Sequence, residues 1–178
     1  MNLAWGAKVS TKFRTKLITI TQSLEIPDPS HLMACMAFET GRTFSPACRN
    51  KAGSGAVGLI QFMPQTAAIL GTSSDELVNM PAEDQLYFVW KYFSQFHGAY
   101  TWNLSNLYMA ILWPAAIGKP ASYILFNQED PHHPKYYIQN AGLDWNENGI
   151  ITKEEACRPI HLIYAEGLLP SNVFILKD

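Results

Sequence analysis

Glu39 follows Met36 by three residues, Cys35 by four and Leu32 by seven. At helical spacing those intervals put its carboxyl group on the apolar side of its own helix. A carboxyl group aimed at an apolar interior loses hydration, and its pKa climbs toward neutrality. That is the state in which a carboxylic acid can donate a proton near pH 7. A plainer alternative stays open at this stage: Arg42 stands three residues further on, at the spacing of a helical ion pair.

A second constellation lies in the last third of the chain. Asp144, Asn146, Asn148, the Ile150 carbonyl, Thr152 and Glu155 occupy the ligand positions of a twelve-residue EF-hand loop, with Gly149 at its sharp turn. An all-oxygen set of this kind suits calcium, here expected in a structural role, and only Asp144 and Glu155 bring charge to it. Gly142 interrupts the helix expected before the loop, and Pro159 is expected to kink the one after it. The alternative is an Asn-Gly turn ahead of a helix capped by Thr152. His132 and His133 read as an exposed pair, because adjacent residues do not face one another on a helix.

The elements that must position these groups read as helices. Val9, Phe13, Leu17 and Ile20 give a helical period over residues 8–24, ended by Pro27-Asp28-Pro29. Asp28 then caps a second helix with Pro29 at its first position, running to a stop at Gly41. Pro64 and Gly71 bracket a short third helix, and Pro81 with Glu83 and Asp84 opens a longer one that stops at Gly98. Residues 104–117 add another, whose apolar run is too short to span a bilayer of about 20 helical residues and is broken by Pro114. No long alternation appears, so the fold class is mainly α, with at most a small β-hairpin over residues 53–61. From Asn127 the composition turns polar, which divides residues 1–126 from a C-terminal helical subdomain, 127–178, holding the EF-hand-like loop.

Composition bounds the rest. With 48% hydrophobic and 16% charged residues over 178 positions, the chain can bury a sizeable core. Thirteen Lys and Arg against fifteen Asp and Glu, a net charge of -2, supply no positive field for phosphates, so no nucleic-acid partner is expected. Three cysteines without Cys-x-x-Cys spacing argue against a disulfide framework or a zinc knuckle. Residues 1–15 show no apolar block ahead of a small-residue cleavage site, and synthesis in a cytoplasm without a signal peptide is the expectation.

Taken together, Glu39-Thr40-Gly41-Arg42-Thr43-Phe44-Ser45-Pro46 and Gly55-Ala56-Val57-Gly58-Leu59-Ile60-Gln61-Phe62-Met63-Pro64-Gln65-Thr66-Ala67 resemble the soluble lytic transglycosylase family, relatives of goose-type lysozyme. The family pattern sets a catalytic Glu at a helix end before Ser, then Phe and Pro, then Gly-Leu-Met-Gln and Met-Pro-x-Thr-Ala. Thr40 stands where that pattern has Ser and Ile60 where it has Met. Asn50-Lys51-Ala52-Gly53-Ser54 lengthens the loop between the motifs, and Ile-Leu-Trp-Pro-Ala replaces the family's Ala-Tyr-Asn-Ala-Gly near residues 110–116. The resemblance implies a lysozyme-like helical fold over residues 8–126, with Glu39 as catalytic acid and Gln61 in the groove that holds a sugar chain. Phe44, Tyr108 and Trp113 join Gln61 as candidate substrate contacts. Tyr108 and Trp113 are the candidates to support Glu39, and a core position in an apolar helix is the alternative for each.

Ordinary glycosidases use two carboxyl groups, about 5 to 5.5 Å apart for retention or about 6.5 to 9.5 Å for inversion. Residues 40–74 contain no Asp or Glu, and Asp75, Glu76, Glu83 and Asp84 fall at helix starts, where acids are expected anyway. A single-acid mechanism fits this spacing better, and the resemblance implies its product, a 1,6-anhydromuramic end. It also implies peptidoglycan glycan strands as partner. The small size and degenerate third motif look like a bacteriophage or prophage lytic protein acting on the bacterial cell wall. Such a protein would be an endolysin or a virion-associated enzyme, with virion or tail components as further partners. Two rivals remain: a goose-type muramidase that uses water, and a catalytically silent tail module that grips glycan.

Overall fold

The computed structural model describes residues 1–50, 53–96, 98 and 100–176. Lys51 and Ala52 of the lengthened loop lie outside the described residues. Helix α1 (Thr11–Ser23) starts at Ser10, whose hydroxyl oxygen accepts a hydrogen bond from the Phe13 amide. It buries Phe13, Leu17 and Thr21, four residues apart. Asp28 caps α2 (Pro29–Glu39) by accepting from the Ser30 amide, and Pro29 takes the first helical position, where no intrahelical amide bond is lost. Helix α2 is buried from Leu32 through Ala37 on every side, so it forms the centre against which α6 (Leu104–Leu112) and α8 (Lys153–Gly167) pack.

Between α2 and α6 come α3 (Pro64–Ile69), α4 (Ser74–Asn79) and α5 (Ala82–Ser94), the last packed on α1. A capping box of Ser73 and Glu76 opens α4. Helix α6 ends five residues before its apolar run does. Pro114 lacks an amide hydrogen and drives Trp113 out of helical geometry (φ -155°, ψ 83°), leaving a 3₁₀ turn over Pro114–Ala116. In contrast α8 runs as one helix through Pro159. The mainly helical expectation therefore holds among the described residues. The hairpin expected over residues 53–61 is reduced to isolated bridges from Val57 to Arg49 and Phe62.

Two short antiparallel pairs complete the chain. Strand β1 (Asn2–Leu3) pairs with β4 (Phe174–Ile175), and β2 (Ile124–Asn127) pairs with β3 (Ile150–Thr152) in the register Asn127 to Ile150 and Phe126 to Ile151. Helix α7 (Pro134–Asn140) lies between β2 and β3. Ile151, Ala156, Cys157, Ile160 and Ile163 join the same buried cluster as Leu32, Met33, Met36 and Leu107. The compositional change at residue 127 thus does not coincide with a break in the core.

The N-terminus is clamped to the end of α8. The Trp5 amide donates to the Gly167 carbonyl at 3.0 Å and its indole Nε1 to the Ile163 carbonyl at 3.0 Å, bringing the indole against Gly167. A methyl group at residue 167 would collide with that indole. Gly167→Ala should therefore cost about 1–3 kcal/mol through overpacking. A denaturant midpoint unchanged from wild type would show that the clamp is looser than described.

Candidate active site

Glu39 is the last residue of α2, and the chain after it folds back at once. Gly41 and Arg42 both take left-handed backbone geometry (φ 57° and 71°), and Phe44 follows at φ 52°. Thr40 secures the reversal: its hydroxyl donates to the Met36 carbonyl at 2.6 Å and accepts from the Phe44 amide at 3.0 Å. Either job needs only a hydroxyl, which is why Thr serves where the resembled pattern has Ser. The reversal encloses a cleft of about 600 Å³ lined by Glu39, Thr43, Ser45, Cys48, Arg49 and Gln61.

Glu39 and Arg42 do not pair. The Arg42 guanidinium donates to both carboxylate oxygens of Glu166 on α8, Nε to Oε1 at 2.8 Å and Nη2 to Oε2 at 2.7 Å. Part of Glu39 still opens to the cleft, and burial of the rest lifts its pKa from the ordinary 4.5 to about 7. The ion-pair alternative is thereby removed, and the desolvated acid remains.

Of the two aromatic candidates, Tyr108 is the one beside Glu39. It is 3% exposed, and its ring meets Phe38, a cleft wall, edge-on at 5.4 Å. Burial first, then the nearby Glu39 carboxylate, hold its phenol well above the usual tyrosine range. Trp113 stands elsewhere, in an aromatic cluster with Phe126 and Tyr136 at 5.3 Å from each. Phe44 is likewise corrected from substrate contact to core: it is 4% exposed and packs on Trp5 and Phe13. Its left-handed backbone turns the ring inward while its neighbours line the cleft.

Gln61 does line the cleft with Glu39. Its Nε2 donates to the carbonyls of Cys48 (3.3 Å) and Gly58 (3.1 Å), which identifies the nitrogen end and leaves Oε1 as the acceptor. Behind it stands a residue that the sequence reading passed over. Gln85 of α5 is completely buried; its Oε1 accepts from the Leu59 amide at 2.6 Å, and its Nε2 donates to the carbonyls of Leu77 (2.8 Å) and Pro46 (3.2 Å). One side chain thus ties the Gly58–Gln61 turn and the Pro46 segment to α5. Gly58, at φ 83°, lies so close that any Cβ would strike the Gln85 carboxamide. The signal was present: Gln85 sits on one stripe with Val89 and Phe93, a polar group on an apolar face.

No second carboxylate lines the cleft among the described residues. Asp75 approaches closest in kind, reaching the cleft residue Arg49 at 3.7 Å while its own side chain stays 90% exposed. Glu76 is spent in the capping box of α4, Glu83 accepts from the Ser10 hydroxyl, and Asp84 pairs with Lys16 at 2.7 Å. A roomier hollow of about 1030 Å³ is walled by Ser105, Trp145, Glu154, Arg158 and His161. Cys35 and Cys157 are buried and Cys48 half-buried, and all three are free thiols.

The EF-hand-like loop folds on its own amides. Asp144 accepts from the amides of Gly149 (2.9 Å) and Asn148 (3.3 Å) and from the Tyr137 hydroxyl (2.7 Å), which holds its carboxyl below the usual range. Asn146 Oδ1 accepts from the Asn148 amide, Asn148 Oδ1 from the Ile150 amide, and the Ile150 backbone enters the β2 pairing. Thr152 and Glu155 form a capping box that opens α8, and Asn146 donates to Glu155 at 2.8 Å. Gly149 turns at φ 81°. No group of three or more His, Cys, Asp and Glu that could hold a metal occurs among the described residues, in line with only two charged members of the loop. His132 and His133 are exposed, and the latter stacks on Tyr136.

Among the described residues, no helix is long and apolar enough to cross a membrane. Comparison with protein-family models, curated proteins and solved structures returns no match to this chain.

Proposed function

We propose that this chain is a peptidoglycan lytic transglycosylase of lysozyme-like fold that cleaves the β-1,4 bond between N-acetylmuramic acid and N-acetylglucosamine. One observation carries the reading: Glu39 presents a desolvated carboxyl with a pKa of about 7 in a cleft with no second carboxylate among the described residues. As an acid it protonates the bridging oxygen while the bond from that oxygen to the anomeric carbon breaks. As the resulting carboxylate it takes the proton of the substrate's own 6-hydroxyl, whose oxygen bonds to the anomeric carbon. Glu39 ends protonated, no water is consumed, and the product carries a 1,6-anhydro ring. An attached nucleophile can reach effective molarities of about 10⁵–10⁸ M, which makes a bound water unnecessary. Gln61 Oε1 offers an acceptor to sugar hydroxyls, and Tyr108 walls off the acid from behind.

The rival muramidase would enlist Asp75, an acid that reaches the cleft side chain Arg49. A silent glycan-gripping module is separated more simply. Purified walls incubated with the protein should release soluble muropeptides. Protein that sediments with the walls and releases none would overturn the enzymatic reading. The phage or prophage setting, with virion or tail components as partners, rests on the resemblance and on its degenerate third motif near residues 110–116.

The 144–155 loop belongs to the same proposal as a structural calcium site, with Asp144, Asn146, Asn148, the Ile150 carbonyl, Thr152 and Glu155 as its oxygen donors. Calcium would supply the charge that pins the start of α8, the helix that braces α2. An ion that binds only the folded chain stabilises by RT ln(1 + [L]/Kd), so calcium at about 100 times Kd should add about 2.7 kcal/mol. The melting temperature of metal-stripped protein should rise with calcium, and Asp144→Ala or Glu155→Ala should abolish the rise. A melting temperature indifferent to millimolar calcium would reduce the loop to an Asn-Gly turn.

A further inference from the structure

The hollow of about 1030 Å³ shares no residue with the Glu39 cleft. Glu154, Arg158 and His161 stand four and three positions apart on α8, so they form one stripe along it, opposite the side that buries Ala156, Ile160 and Ile163. Ser105 at the start of α6, Trp145 and Lys119 face this stripe across the hollow. Lys119 is positioned from below. The buried Lys153 ammonium donates to the carbonyls of Lys119 (2.9 Å) and Ala116 (3.1 Å) and to Asn106 Oδ1 (2.9 Å), which uses all three of its hydrogens.

Charge of both signs is left over in this hollow. Arg158 sets its guanidinium over the Trp145 ring, 4.3 Å from its centre, and donates no hydrogen bond among the described residues. The Lys119 ammonium lies 5.7 Å from the centre of the Tyr123 ring. Neither cation enters an ion pair among the described residues, and neither does Glu154. Glu155, by contrast, is held by Thr152 and Asn146. The Ser105 hydroxyl and His161 Nε2, 3.1 Å apart, add a hydrogen-bonding pair to the same wall. A polyanion would meet Glu154 there, and a polycation would meet Arg158 and Lys119. A ligand that carries both signs opposes none of the three charges, and the Arg158 fork suits a carboxylate bidentately. The volume lies at the upper end of ligand clefts, which run to about 1,000 Å³, and so suits a short peptide.

We infer that this hollow binds a short peptide with free carboxylates and a free amine, the carboxylates held by Arg158 and Lys119 and the ammonium by Glu154. Its natural source, the peptide stem of peptidoglycan, is named on the strength of the proposed function; the peptide-binding inference itself does not need Glu39. A polymer that carries both glycan and stems can engage the two sites together, which raises its effective concentration at the cleft without any new catalytic contact.

The test uses the full chain and the tripeptide L-alanyl-γ-D-glutamyl-meso-diaminopimelate, which has free amines and free carboxylates. Its titration should shift the indole resonances of Trp145 and the ring resonances of His161. Arg158→Gln and Lys119→Gln, both at exposed positions, should each weaken binding about tenfold, the scale of one lost charge-assisted contact. Glu154→Gln should weaken binding of the free peptide yet leave that of the peptide acetylated on both amines unchanged. Resonances untouched by the tripeptide would overturn the inference, as would wild-type affinity in the Arg158→Gln, Lys119→Gln double variant. Shifts matched by inorganic phosphate would overturn it too, reducing the hollow to a simple anion site. Peptide binding in a protein that releases no muropeptides would keep this inference and sink the catalytic one, and release without peptide binding would do the reverse.

Discussion

Purified Glu39→Gln is expected to lose wall-degrading activity by a factor of about 10²–10⁴, the usual contribution of a positioned general acid, and at the same time to gain stability at alkaline pH. The two effects have one cause. Burial favours the neutral form of Glu39 in the folded chain, raising its pKa from 4.5 to about 7. The folded state therefore holds a proton that the unfolded chain releases. Stability from this group is fully present below about pH 4.5, is lost as the pH climbs, and reaches its floor above about pH 7. At 1.36 kcal/mol per pH unit the loss is roughly 3 kcal/mol. Glutamine keeps the shape and never ionises, so wild type and variant should unfold alike near about pH 4, and the variant should be more stable by up to about 3 kcal/mol near about pH 8. For the wild type, kcat/KM should fall as the pH rises through about 7, where the free enzyme loses the acid. Folded Glu39→Gln that clears walls at a tenth or more of the wild-type rate would remove Glu39 from the chemistry. Denaturant curves that keep the two proteins equally stable at both pH values would show that the carboxyl is hydrated.

Gln85→Ala should be the most damaging change that touches no substrate. It leaves the Leu59 amide and the Leu77 carbonyl buried and the Pro46 carbonyl part-buried without this partner, and opens a void at a fully buried position. A stranded buried group costs about 1–3 kcal/mol, so a loss on the order of 3–5 kcal/mol is expected. Because the same side chain anchors the turn that carries Gln61, activity should fall further than the unfolded fraction explains. Gln85→Glu should also be harmful. It preserves the acceptor toward Leu59 but points an oxygen at two carbonyls, which only a protonated carboxyl can relieve. A loss below about 1 kcal/mol for Gln85→Ala would mean that the cleft loop is held by its other contacts.

Much of this site was legible locally. The three, four and seven spacing of Glu39 from Met36, Cys35 and Leu32 gave its direction, and Asp28-Pro29 marked where its helix begins. What the sequence concealed was long-range. Nothing near Arg42 announces Glu166, which is 124 positions away, and strands of two to four residues are too short to show alternation. Phe44 lies within the resembled motif and read as a substrate contact; a left-handed backbone, invisible in composition, turns it into the core. Tyr108 and Trp113 were separable in principle. Five positions on a helix is about 140° of rotation, so one helix could not aim both at Glu39, and Pro114 sets Trp113 beyond the helix end in any case.

Digestion of purified peptidoglycan in oxygen-18 water, followed by mass spectrometry of the muropeptides, tests the central claim most directly. If Glu39 works alone and the substrate supplies its own nucleophile, the new ends should carry the 1,6-anhydro ring and no label. Label in most of the new ends would contradict the account, make water the nucleophile, and send the search for a second acid to Asp75 at the rim of the cleft, where it meets Arg49.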